Sequence, residues 1–168
     1  DSAVALQIKD SITMQVDAIK QLIGTMCAMA ERERDTVMLG RTHGQAAVPI
    51  TFGLKVAVWV DEFARHLERL GELSPRATTG KFMGAVGTGA AQGEQAFELQ
   101  SLIMNELGLG TPVATTQVVG RDRYIEWVGW MANVATSVEK VLQEVRNLQR
   151  SEIAEVAEAF DTDKQVGS

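Results

Sequence analysis

The sequence predicts an all-α protein, built as an elongated bundle of long helices. Two observations carry this. Apolar residues recur at alternating steps of three and four along three stretches, which is the spacing of a helical seam. The only three prolines, Pro49, Pro75 and Pro112, fall where those seams break. No stretch alternates apolar and polar residues convincingly, so no strand is expected.

The first helix is expected from about Ala3 to Arg34, with Ile12, Val16, Ile19, Ile23, Met26 and Ala30 on one seam and Glu31–Arg34 as its solvated end. A second is expected from about Pro49 to Ser74, with Phe52, Val56, Trp59, Phe63, His66 and Leu70 as its seam. Pro49 suits a first turn, where a missing N–H costs nothing, and Pro75 ends the pattern. Residues Thr78 to Gly93 are rich in Gly, Thr and Ala and read as a loop. A shorter helix follows from about Ala90 to Leu107, stopped by Gly108. The last helix is expected from about Arg121 to Ala157, with Val128, Met131, Ala135, Val138, Leu142 and Val145 as its seam. Such a helix would be about 55 Å long at 1.5 Å per residue. A compact globe of this chain length has a radius of gyration of only ~15 Å. The bundle should therefore be elongated, with seams that also pack on other chains.

Composition excludes several classes. The chain has 168 residues, 45% hydrophobic and 23% charged, which fits a folded domain, or one piece of a longer chain, rather than a disordered segment. A net charge of −6 makes it a poor binder of nucleic acid, whose phosphates would repel it. Apolar runs such as Val56–Val60 stop far short of the ~18 residues that suggest a membrane span. A single cysteine, Cys27, excludes an internal disulfide and fits a reducing, cytoplasmic compartment. No signal-peptide pattern opens the chain.

Few residues offer chemistry. Two histidines and one cysteine leave no zinc cluster, and there is no Walker loop or GxGxxG. The glycine-rich Gly84–Gly89 stretch is open between close packing and proximity to a ligand. His66, on the apolar seam of the second helix, reads as a structural histidine. His43 lies in the polar segment Gly40–Gln45 between two seamed helices. Loops on rigid scaffolds are where catalytic groups are displayed, and an imidazole titrates near neutrality. Taken alone, such a histidine is more often a surface residue. Thr115-Thr116-Gln117 precedes the last helix, whose N-terminus attracts anions. Asp122 suits capping, and Arg121 and Arg123 suit ion pairing. Arg146–Glu152 is dense in long polar side chains and hints at an interface.

Five segments, taken in order, carry a resemblance: GRTHGQAAVPITFGLKVAVW (Gly40–Trp59), GAVGT (Gly84–Thr88), TTQVVGRDR (Thr115–Arg123), EVRNLQRSEI (Glu144–Ile153) and QVGS (Gln165–Ser168). The chain resembles the aspartase/fumarase superfamily of lyases, above all its adenylosuccinate-cleaving branch. The resemblance implies a central helical domain that assembles into a homotetramer. Each active site would draw on three subunits. It also implies elimination of fumarate from a C–N bond of a small nucleotide substrate, namely adenylosuccinate and the succinylated aminoimidazole carboxamide ribotide of purine synthesis. Neither metal nor organic cofactor is implied.

The resemblance also implies roles. His43 matches the general acid that protonates the departing nitrogen. Thr42 matches a contact to the succinyl part, and Gln117 matches a substrate-binding residue. Ser168 aligns with the first serine of the family's GSS-x-x-P-x-K-x-N loop, the general base. Lys55, Arg121 and Arg123 match substrate-binding positions, or else hold the tetramer and the helix start.

Two departures bear on the substrate. Gly120-Arg121-Asp122-Arg123-Tyr124 stands where many members of this branch read QRDRH. Pro49-Ile50-Thr51 replaces their PTT and is similar to the related 3-carboxymuconate cycloisomerases. The alternatives are therefore a cycloisomerase and a non-catalytic oligomerisation scaffold. Residues 1–168 are expected to be a central domain truncated at both ends, starting after the family's TSxD segment and stopping inside the catalytic loop. On its own such a piece would be inactive.

Overall fold

The computed structural model describes residues 1–159. Helix α1 (Ser2–Arg32) is followed by a β-hairpin, β1 (Val37–Thr42) and β2 (Gln45–Thr51), and then by α2 (Phe52–Ala77). A 3₁₀ segment (Ala90–Gln95) leads into α3 (Ala96–Leu107), and α4 is Asp122–Leu148.

The bundle is α1, α2 and α4. The expected seams of α1 and α2 are the faces that meet. Ile12, Ile19 and Met26 of α1 are buried against Val56, Trp59, Phe63 and Leu70 of α2. Fully burying a side chain of this size contributes about 1.5–3 kcal/mol, so these rows hold the two long helices together. Trp130 closes the core from α4, and its indole N–H donates to the His66 carbonyl at 3.0 Å. On α4 the Trp127 indole donates to Gln15 of α1 at 3.2 Å. A second small cluster, Ala5, Met104 and Leu109, seats α3 on the start of α1. No described helix is long and apolar enough to cross a membrane.

The bundle is as expected, but four local expectations are corrected. Residues 37–51 form an antiparallel hairpin, where no strand was expected. Its outer strand is almost wholly exposed, so nothing selects for a buried apolar alternation. Pro49 consequently lies in β2 and not in a helix. Helix α2 starts at Phe52, capped by Thr51, whose hydroxyl accepts the Leu54 N–H at 3.2 Å. Pro75 enters the last turn of α2 instead of ending it. There a missing N–H removes only one intrahelical bond, and the helix continues to Ala77. Helix α4 stops at Leu148, nine residues before Ala157. The chain turns back there, and the N–H groups of Glu155 and Val156 both reach the Leu148 carbonyl, satisfying a helix end that would otherwise be orphaned.

The seam of α4 is also shifted. Met131, Val138 and Val145 face the core as expected, but Val128, Ala135 and Leu142 are exposed. The row packed against the core, each member half-buried, is Tyr124, Trp127, Met131, Val134, Val138, Val141 and Val145. This helix is apolar on two neighbouring faces, and only one meets the bundle of its own chain.

Candidate functional site

The polar residues singled out from the sequence separate to the two ends of the bundle. At one end stands the hairpin. His43 and Gly44 form its two-residue turn, with φ of 52° and 72°. Positive φ at both positions is the turn geometry whose twist matches an antiparallel ribbon, and histidine accepts it more readily than branched residues do. His43 and Thr42 are therefore displayed in solvent at the tip of a ribbon.

The ribbon is held from behind. Arg41 makes a bidentate ion pair with Glu155, at 2.8 and 3.0 Å. The Arg41 guanidinium holds the Glu155 carboxyl below its ordinary range. Lys55, in the first turn of α2, is ion-paired with Glu144 of α4.

At the other end, Gln117 is exposed in the loop that enters α4. Thr115 braces this loop by donating its hydroxyl to the Val118 carbonyl at 2.8 Å. Gly87, at φ 84°, packs so closely on the Thr115 carbonyl that a Cβ would not fit. Within the glycine-rich stretch, Gly87 is thus a close-packed support for Thr115 and Thr116. Arg121 donates to Asp1 at 3.0 Å and lies over the Tyr124 ring, 5.3 Å from its centroid. Arg123 donates to the Arg76 carbonyl and to the Thr79 hydroxyl, each at 3.2 Å. Lys55, Arg121 and Arg123 all have partners within the chain. Ser168 and Gly167 lie outside the described residues.

Helix α2 runs between the two ends. The Phe52 N–H at its start bonds the Thr36 carbonyl beside the hairpin, and Arg76 near its close is ion-paired with Glu126 near the start of α4. His43 and Gln117 are therefore separated by about the length of α2, ~39 Å for 26 residues. One chain does not bring them together. A groove of about 710 Å³ between β1 and residues 155–157 is lined by Val37, Leu39, Pro49 and Phe52 among others and contains neither residue.

The sequence reading missed one polar cluster. His66 is fully buried, as a structural histidine should be, and its Nε2 lies 2.8 Å from the Ser137 hydroxyl of α4. Ser137 in turn donates to Glu62 at 2.6 Å, and Glu62 is ion-paired with Lys140. Burial pushes the His66 pKa down, reinforced by the charge of Arg69. Lys140 and the Ser137 hydroxyl pull the Glu62 carboxyl below its ordinary range. In the sequence Glu62 and Arg69 flank His66 at helical neighbour spacing on the apolar seam, but nothing there points to Ser137 or Lys140 of α4.

These features define a helical scaffold that displays polar residues at its two ends. A lyase family model matches residues 1–168, and the chain belongs to that family. It is 48% identical to the adenylosuccinate lyase of Pyrococcus abyssi (strain GE5 / Orsay), over all of this chain and 37% of that protein. Among solved structures, a fumarate lyase from Mesorhizobium sp. BNC1 superposes with a TM-score of 0.88 at 40% identity, over 94% of this chain and 37% of that one. The 3-carboxy-cis,cis-muconate lactonizing enzyme from Pseudomonas putida superposes with a TM-score of 0.84 at 31% identity, over 90% and 34%. The chain thus spans little more than a third of the length of these relatives.

Proposed function

We propose that the full-length protein is a C–N lyase that eliminates fumarate from adenylosuccinate and from the succinylated aminoimidazole carboxamide ribotide. Residues 1–168 would be its central helical domain. The observation that carries this reading is His43 at the tip of a braced hairpin, in a chain 48% identical to an adenylosuccinate lyase.

In this reading Ser168 removes the proton from the carbon beside the substrate carboxylate. The resulting aci-carboxylate carries an extra negative charge, which fixed N–H groups and cations stabilise. The electron pair then forms the C=C bond of fumarate as the C–N bond breaks. His43 gives a proton to the leaving nitrogen as general acid. Thr42 contacts the succinyl part and Gln117 binds the substrate. The intramolecular partners of Lys55, Arg121 and Arg123 support roles in holding the fold and the helix start, with substrate contact through whatever donors remain.

The distance between His43 and Gln117 supports a site shared between copies. Antiparallel neighbours would bring the hairpin end of one chain to the loop end of another. The exposed second face of α4, with Ile125, Val128 and Leu142, is the surface on which such copies would pack. We assign the assembly as a homotetramer with each site drawn from three subunits, acting in the cytoplasm without cofactor. A purely structural scaffold would have no need of a braced histidine tip.

One observation favours a cycloisomerase instead: Pro49-Ile50-Thr51 together with the superposition on the lactonizing enzyme. Offering the full-length protein adenylosuccinate and carboxymuconate side by side, with product absorbance as readout, tests the proposal. Turnover of carboxymuconate alone overturns it.

A further inference from the structure

Hairpin β1–β2 is an unusual carrier for a reactive group. A two-stranded ribbon is at best marginally stable by itself, and most of β2 is solvent-exposed. Its pairing is interrupted between Leu39 and Arg41, where the register shifts: Leu39 faces Pro49, whereas Arg41 faces Ala46. Leu39 sits opposite Pro49, a residue with no N–H. Arg41 follows two residues on and donates two bonds to the Glu155 carboxylate, at 2.8 and 3.0 Å. Both side chains are mostly buried, with 27% and 20% of their surface exposed. Glu155 is itself fixed, because its N–H is bonded to the Leu148 carbonyl at the end of α4 at 3.0 Å.

A continuous connection thus runs from the end of α4 through Glu155 to the irregular point of the ribbon, two residues before His43. We propose that Arg41 and Glu155 form a positioning pair that anchors the hairpin to the end of α4 and so sets the orientation of the His43 tip for proton transfer. The proposal rests on the elimination chemistry assigned to His43 above. Neither residue touches substrate. They act through the backbone of β1.

The test uses the full-length protein with Glu155→Gln, Arg41→Lys and the charge-exchanged double variant Arg41→Glu/Glu155→Arg. Misplacement of a reacting group by about 1 Å can cost on the order of 100-fold in rate. Glu155→Gln is therefore expected to lower kcat about 10- to 100-fold, with KM for adenylosuccinate within about threefold of the parent and the oligomer intact. Arg41→Lys, which keeps the charge but loses the fork, should fall between. The exchanged pair should recover part of the loss. Amide hydrogen exchange at Leu39–Thr42 should accelerate in Glu155→Gln while α1 and α2 stay protected. Unchanged kcat overturns the proposal, as does lowered kcat without faster exchange in β1. If the parent protein does not cleave adenylosuccinate, the lyase reading fails separately. The anchor is then judged on exchange alone: unaltered β1 protection in Glu155→Gln overturns it, and selective loss of protection supports it.

Discussion

Across the interface of α2 and α4, His66 Nε2 lies 2.8 Å from the Ser137 hydroxyl, while the buried Nδ1 has no partner among the described residues. The direction of this bond can be deduced. Ser137 has one hydroxyl proton, and the Glu62 carboxylate, which only accepts, takes it at 2.6 Å. The serine oxygen is left to accept, so His66 carries a proton on Nε2.

Ser137→Ala should therefore destabilise the bundle by about 1–3 kcal/mol, because it strands the buried His66 N–H and removes a donor from Glu62. Urea unfolding, followed by tryptophan fluorescence, measures this. Ser137→Thr, which keeps the hydroxyl, should lose less.

The same cluster makes stability depend on pH. Burial, with Arg69 next, lowers the His66 pKa from its ordinary 6.5, and Arg65 and Lys140 also oppose protonation while Glu62 favours it. Below about pH 6.5 the unfolded chain takes up a proton at this histidine that the folded chain refuses. This contribution to stability is complete above that pH and declines as pH falls toward the lowered folded value. His66→Gln should flatten the acid side of the stability profile, as read from unfolding midpoints between pH 7 and roughly pH 5.

Gly87→Ala should disturb Gln117 without unfolding the bundle. The position combines a φ of 84° with direct backbone contact to Thr115, and a residue other than glycine is strained there. In the full-length protein the expected result is a raised KM for adenylosuccinate with far-UV circular dichroism unchanged. An unchanged KM would separate the glycine-rich stretch from the substrate.

His43→Ala should leave bundle and oligomer intact, since the side chain is exposed at a turn, and should lower fumarate release by about 100-fold or more, the range lost with a general acid. Retained turnover would remove His43 from the role of acid.

The legible parts of the fold were those whose residues face their own chain. Ile12–Ala30 and Phe52–Leu70 repeat at helical spacing because α1 and α2 pack on each other. On α4 the rule chose Met131, Val138 and Val145, which pack on the core, together with Val128, Ala135 and Leu142, a second apolar row that this chain leaves exposed. Apolar spacing reports burial and not the identity of the partner. The hairpin was hidden because its outer strand has no buried face. Its usable signals were Thr36-Val37-Met38-Leu39 before a His43-Gly44 turn. Arg41 and Glu155, 114 residues apart, carry no local signal. His43, Thr42 and Gln117 were singled out by motif, but their placement at opposite ends comes only from the course of the helices.

That separation has a consequence for mixed populations of chains. A polypeptide lacking His43 and another lacking Gln117 are each defective at a different end. Where sites join the hairpin end of one chain to the loop end of another, co-assembly of the two produces some sites in which both lesions fall together and others that carry neither. Two inactive preparations, unfolded and refolded as a mixture, would then regain a fraction of wild-type turnover that neither regains alone.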